Sequence, residues 1–288
     1  MSAARPAAAH GAHATQAQID WSAVDQAMGK PGAMQPGDVY KFSLPRTDLQ
    51  VTARGVAVQP ALALGSWVAF EPMGSQAMVM GDLVLTEDEL NPVMLALQQG
   101  GVEQTAVHNH LLGESPRVLY MHIGGHGDPV RLAETIHDAL ALSGTPFAAP
   151  PGSPQASDLD TAQLESILGY KGSASGAVYQ FSIPRAEPIT EEGMAVPPAM
   201  GTATAINFQP TGGGAAAISG DFVMVASEVN PVLRALRENG IEVTALHSHM
   251  LGEQPRLYFM HFWANDDAAR LARGLRAALD QMNLAPAA

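Results

Sequence analysis

The sequence predicts an α+β protein built from two duplicated domains, each a mainly antiparallel sheet with a β-α-β-β-α segment and helices on one face. Three observations carry that expectation. The chain is written twice at an offset of 139 residues: Phe42-Ser43-Leu44-Pro45-Arg46 returns as Phe181-Ser182-Ile183-Pro184-Arg185, and His108 and His110 return as His247 and His249. Short runs of strand period alternate with amphipathic runs of helical period. Charged residues are 15% of the 288, with 28 glycines and 21 prolines, a composition of strands and turns rather than long charged helices.

The elements follow in order. Residues 1–17 are Ala-rich, hold Arg5, Pro6, His10 and His13, and lack the apolar run of a signal peptide. They read as a disordered leader or the start of a mature exported chain, with solvated histidines. Repeat 1 is expected over 18–143, a Pro-rich linker over 144–157 and repeat 2 over 158–288. Each repeat opens with a helix, at 19–28 and 160–168. Strand candidates in the first copy are 39–44, 49–58, 65–70 and 77–85. The next helix has Glu89, Asn91 and Pro92 in its first turn, where a missing N–H and negative charge are tolerated, and Gly100-Gly101 stops it. Strands at 102–111 and 118–123 are joined by a Gly113-Glu114-Ser115-Pro116 turn, and a helix over 128–142 closes the unit with Leu132, Ile136 and Leu140 on one face.

Composition narrows the function. Lys and Arg number 15 against 28 Asp and Glu, a net charge of −13, which argues against a phosphate backbone and so against nucleic acid. No stretch approaches the roughly 18 apolar residues of a membrane-spanning helix. The absence of cysteine excludes disulfides, iron–sulfur clusters and thiolate zinc sites. No Gly-x-Ser-x-Gly elbow, P-loop or GxGxxG fingerprint occurs, which leaves serine hydrolase, NTPase and Rossmann readings without support.

The chemistry-bearing pattern is His108-x-His110-x3-Glu114-x7-His122, repeated as His247, His249, Glu253 and His261. Residues i and i+2 of a strand share a face, so His108 and His110 project together. If paired residue numbers on the returning strand sum to 228 or 230, His122 joins that face, opposite Ala106 or His108. Three imidazoles and a carboxylate then suit one divalent ion in each copy: zinc first, with manganese, iron, nickel or copper as alternatives. Neighbours drift while these four stay: Asn109 becomes Ser248, Leu111 becomes Met250 and Tyr120 becomes Phe259. The bland alternative is a pair of hydrogen-bonded histidine clusters inherited from one ancestor. The first spacing matches the leading cupin motif, but the last histidine lies eight residues beyond the glutamate and no second motif follows, so a jelly roll is not expected.

Other repeated polar residues have structural and functional readings. Arg46 and Arg185 end a strand, and Arg117 and Arg256 begin the returning one; a small anionic molecule near Arg46 or Arg117 is one reading, a structural salt bridge the blander. Asp82 and Asp221 follow glycine and either cap a turn, the favoured reading, or accept a ligand histidine's free N–H. Glu89 and Glu228 complement helix N-termini. His126 and His137 fall outside the repeat and read as surface residues. Met121 and Met260, of opposite parity to the histidines, belong in the core. Met78 and Met80 map to Ala217 and Ser219, so a copper-thioether site is not part of the duplicated design.

At Phe-Ser-Leu-Pro-Arg-Thr-Asp (42–48), Gly-Asp-Leu-Val-Leu (81–85), Glu-Leu-Asn-Pro-Val-Met (89–94), Thr-Ala-Val-His-Asn-His-Leu-Leu-Gly-Glu (105–114), Pro116-Arg117 and Met121-His122, the sequence resembles the LppY/LpqO family of exported bacterial proteins. The resemblance covers both copies. It implies secretion, here into the periplasm or outside the cell, and assigns no reaction. The second copy departs at Pro184-Arg185-Ala186-Glu187. The expectation is therefore an exported metal-binding protein with one ion per repeat. The alternatives are a metal-dependent hydrolase or lyase using metal-activated water, with Glu114, Arg117, Glu253 and Arg256 as candidate catalytic residues, and a metal-free envelope interaction protein.

Overall fold

The structure is a computed structural model that describes residues 19–148 and 157–287. The expected leader and most of the expected linker, 149–156, lie outside the described residues. The first copy runs α1 (Trp21–Met28), β1 (Ala33–Gln35), β2 (Val39–Pro45), β3 (Thr52–Ala53), β4 (Val56–Ala57), α2 (Pro60–Ala63), β5 (Gly65–Met73), β6 (Gln76–Thr86), α3 (Glu87–Gln99), β7 (Glu103–His108), β8 (Glu114–Ser115), β9 (Val118–Gly127) and α4 (Pro129–Leu140). The second runs α5 (Thr161–Leu168), β10 (Ser173–Ser175), β11 (Val178–Pro184), β12 (Thr190–Glu191), β13 (Met194–Ala195), a 3-10 turn (Pro198–Met200), β14 (Ala203–Gly212), β15 (Ala215–Val225), α6 (Ala226–Glu238), β16 (Glu242–His247), β17 (Leu257–Asp267) and α7 (Ala268–Leu279). Two repeated α+β domains result, as the duplication predicts. None of the described helices is long and apolar enough to cross a membrane.

Each copy builds one six-stranded antiparallel sheet, in the order β1-β2-β5-β6-β9-β7 and β10-β11-β14-β15-β17-β16. The helices cover one face. In the first copy Val24, Leu97, Ile136 and Leu140 close over Phe42, Phe70, Leu83 and Met121. In the second, Leu164, Leu236, Leu271 and Leu275 close over Phe181, Phe208, Phe222 and Met260. Met121 and Met260 thus sit in the helix-side cores, as strand parity requires.

The other face of each sheet packs on its counterpart. Val84, Val118 and Tyr120 of the first copy share one apolar cluster with Val178, Ala217 and Trp263 of the second. Ala69, Met78 and Met80 share another with Met200, Val223 and Phe259. The layers are therefore helix, sheet, sheet, helix, and strands buried on both faces read as continuous apolar runs: all but the two end residues of β6 are buried. Hydrogen bonds repeat across the join: Lys41 Nζ donates to Ala199 O at 2.8 Å, and its counterpart Gln180 Nε2 donates to Ala61 O at 2.8 Å. The copies are related by an approximate two-fold axis.

Local chemistry revises several expectations. The strand expected at 49–58 is a hairpin of β3 and β4, turned at Arg54 and Gly55 with φ of 49° and 83°, the pair of positive angles that a two-residue turn needs. Helix α3 starts at Glu87, so Pro92 falls in its second turn rather than its first. Glu89 reaches back to the helix start, its Oε2 accepting the Thr86 N–H at 2.8 Å. Strand β7 ends at His108, and His110 lies in the loop beyond it.

Candidate metal centre

The sheet register delivers the histidines. Ala106 pairs with His122 and His108 with Tyr120, the 228 alternative, so His108 and His122 share the inter-sheet face. The second copy repeats this, with Ala245 opposite His261 and His247 opposite Phe259. Tyr120 and Phe259 then support the loop histidines: His110 stacks on Tyr120 with ring centroids 3.4 Å apart, and His249 on Phe259 at the same 3.4 Å. The Tyr120 hydroxyl is anchored by donating to Ala63 O at 2.7 Å.

The two clusters are one. His108 stacks on His247 with centroids 3.7 Å apart; His110 lies on His261 at 3.7 Å and His122 on His249 at 3.6 Å. The last two contacts exchange under the two-fold, and the first lies across it. Asp82 and Asp221 complete the group. Asp82 Oδ2 is 3.6 Å from His110 Nε2 and 3.8 Å from His122 Nε2, and Asp221 Oδ2 is 3.3 Å from His249 Nε2. Ligand atoms lie within 4.8 Å of one another in two groupings, His108–His247–His249–His261 and Asp82–His108–His110. Where the expectation is a separate ion in each repeat, the first grouping takes one residue from the first copy and three from the second, while the second grouping lies wholly within the first copy.

The electrostatics favour ligation. Burial pushes all six imidazoles below their ordinary pKa, His247 to about 4, so they are neutral at pH 7 and keep lone pairs for a cation. Burial raises Asp82 to about 7, against the opposing charge of Lys41, and raises Asp221 as well. His261 Nδ1 donates to Gly220 O at 2.8 Å; because a carbonyl accepts only an N–H, Nε2 is left as the lone-pair nitrogen. That Nε2, with His122 Nε2, His249 Nε2, His108 Nδ1, both nitrogens of His247 and Oδ1 of both aspartates, is buried without a hydrogen-bond partner. Such groups are costly unless something completes them. A divalent ion fits this donor set.

The glutamates depart from expectation. Neither Glu114 nor Glu253 joins a grouping. Glu253 is fully buried, but its oxygens accept from Leu257 N at 2.8 Å and Arg256 Nη1 at 3.0 Å. Arg256 also donates to Ser248 Oγ at 2.9 Å and Met250 O at 3.2 Å, tying down the loop that carries His249. Glu114 pairs with Ala53 as part of β8. Arg117 is exposed, 3.6 Å from Glu87. Glu253 and Arg256 thus brace the His249 loop, and none of the four joins a grouping.

Arg46 is not an anion site. Its five N–H donors go to Asp48 at 2.9 and 2.8 Å, Glu89 at 2.8 and 3.0 Å and Val84 O at 2.7 Å, leaving none for a ligand. Arg185 repeats the knot with Glu187, Glu228 and Val223 O. Asp82 and Asp221 lie beside the histidines, the alternative to the favoured turn reading. Their signal was present: each is the one charged residue in a buried eleven-residue strand.

Two openings reach the cluster. A broad groove between the sheets is lined by Lys41, Asp82, His110, Asp221 and His261, with burial lowering Lys41 to about 8. A smaller cavity also reaches His122 and His249, which the groove touches as well.

A family model described as Domain of Unknown Function (DUF1259) matches residues 22–142 and again 162–281. No curated protein matches the chain. Among solved structures, a trimeric bacterial microcompartment shell protein, PduB, is similar at 15% identity, covering 89% of this chain and 97% of its own, with a TM-score of 0.22. EtuB from Clostridium kluyveri is similar at 9% identity, over 86% of this chain and 90% of its own, with a TM-score of 0.20. Scores this low carry no argument about fold or assembly.

Proposed function

The chain belongs to the family described as Domain of Unknown Function (DUF1259), and we propose that it is a metal-binding protein whose two copies jointly hold one centre. One observation carries this reading: ring nitrogens from both copies are buried without hydrogen-bond partners and ligand atoms of His108, His247, His249 and His261 lie within 4.8 Å of one another. His108, His247, His249 and His261 would hold a first ion, and Asp82 and His110 would extend the centre from His108. Zinc suits four imidazoles, being indifferent to ligand-field geometry. A bound ion would supply a Lewis acid and acidify a coordinated water. His261 is oriented by Gly220 O, His110 and His249 by their aromatic supports. The resemblance to LppY/LpqO proteins adds the proposal that the chain works in the periplasm or outside the cell.

A second reading, a metal-dependent hydrolase or lyase, is favoured by the two openings that reach the cluster. Elemental analysis of the purified protein beside a His108→Ala/His247→Ala double variant tests the metal reading. Metal is expected in the parent and lost from the variant. Equal contents would remove these histidines from any metal site.

A further inference from the structure

The smaller cavity, about 280 Å³, is walled by Trp67, Met78, Met80, Ile123, Met200 and Met250, of which the broad groove shares only Trp67. At its inner end lie His122 and His249, 4% and 9% exposed, each with Nε2 unpartnered. The size is close to the lower end of the range for small-molecule sites, and the apolar walls are joined by polar side chains, among them Thr105, Glu103, Glu191 and Glu192.

The duplication shows what keeps it open. Across β6 and β9 Met80 faces Gly124; at the equivalent place across β15 and β17 Ser219 faces Trp263. Trp263 is 3% exposed and packs with Leu111, Val58 and Ala217, filling its side of the join. Neither backbone nor crowding requires glycine at 124. Its φ is not positive, and a Cβ there would meet Thr105 Cγ2 at 3.7 Å and Val79 O at 4.0 Å, ordinary contacts. Glycine inside a strand weakens it. What it provides here is room beside His122.

Charge at the mouth selects. Glu103, Glu191 and Glu192 line it, three carboxylates against His126, 3.9 Å from Glu192, and the Arg256 guanidinium, which acts on Glu191 from outside the lining. Glu191 Oε1 accepts from Gly252 N at 3.1 Å, while Oε2 is buried without a partner. A ligand N–H or O–H would complete it; a carboxylate or phosphate would meet repulsion.

We propose that this cavity binds a small organic molecule with an apolar body and a neutral or cationic hydrogen-bond donor, an amine above all, and rejects anions. The inference extends the metal-centre reading but asks nothing of the ion. Calorimetric titration of the full chain, chelator-treated and zinc-loaded, with benzylamine, benzyl alcohol and benzoate tests it, three probes of one shape and different charge. Benzylamine and benzyl alcohol should bind the chelator-treated protein, with benzoate at least about tenfold weaker. Gly124→Trp, which copies the second repeat, should weaken benzylamine at least about tenfold. Glu191→Gln, a change at the mouth, should narrow the gap between benzylamine and benzoate and covers the case in which the tryptophan variant does not fold. Benzoate binding as tightly as benzylamine, no binding by any probe, or indifference to both substitutions would overturn the proposal. Failure of the metal reading would show separately, as metal content unmoved by the double histidine variant.

Discussion

Removing the His247 imidazole alone should cost the protein its metal, not half of it. His247 stacks on His108 at 3.7 Å and belongs to the grouping that also includes His249 and His261. A structural zinc site is worth about 10–16 kcal/mol, which over four ligands is about 3 kcal/mol each, or more than a hundredfold in Kd. The conservative assay is a competition titration of zinc against a chromophoric chelator, with metal content measured after dialysis and circular dichroism as the folding control. His247→Ala and His108→Ala should each show the full loss, and His137→Ala, on the far side of a helix-covered sheet, none. Two independent sites, the arrangement the repeated motif suggests, would instead leave half the metal bound at undiminished affinity in either single variant. That result would refute the shared centre and with it the argument from the face-to-face sheets.

Further outcomes follow from neighbouring geometry. Asp82→Asn, which keeps shape and removes charge beside His110 and His122, should weaken zinc by about 10–100-fold in the same titration, and an unchanged Kd would remove Asp82 from the centre. Glu253→Gln should leave zinc affinity alone and lower unfolding stability by about 1–3 kcal/mol, because its carboxylate serves Leu257 N and Arg256; a loss of metal with normal stability would restore it as a ligand. Arg46→Leu should cost about 3 kcal/mol in denaturant titration by stranding Asp48 and Glu89, which are partly exposed, and should not alter metal content. In chelator, stability should fall as pH drops from 6.5 toward about 4, since six imidazoles held low when folded bind protons when unfolded. Asp82 and Asp221, held high, act in the opposite sense but are two against six, so a higher denaturation midpoint at about pH 5 than at about pH 7.5 would contradict the neutral-cluster picture.

Much of each copy was legible because its signals are local. Strand parity put His108 and His122 on one face and Met121 in the core, and of the two pairing sums the antiparallel return allowed, 228 and 230, the sheet realises 228 at Ala106 and His122. The capping role of Glu89 was legible, but its hydrogen bonds to Arg46 and to Gly144 N join residues distant in sequence and have no local signature. For Asp82 the glycine before it favours a turn over partnership with a histidine, although the surrounding apolar run continues as one strand.

By itself the sequence determined that the chain is a duplicated α+β protein, with a histidine-rich face on each copy and no cysteine, basic surface or long apolar helix to support other chemistries. Only the tertiary structure decided that the two faces meet, that Asp82 and Asp221 join them while Glu253 braces the His249 loop, and that Gly124 leaves open a space which Trp263 fills on the other side. Periodicity reports which face a side chain takes, because that is set by neighbouring dihedral angles. Which face meets which is set by apolar surface buried between residues more than a hundred positions apart, as between Tyr120 and Trp263, and no local pattern encodes that meeting.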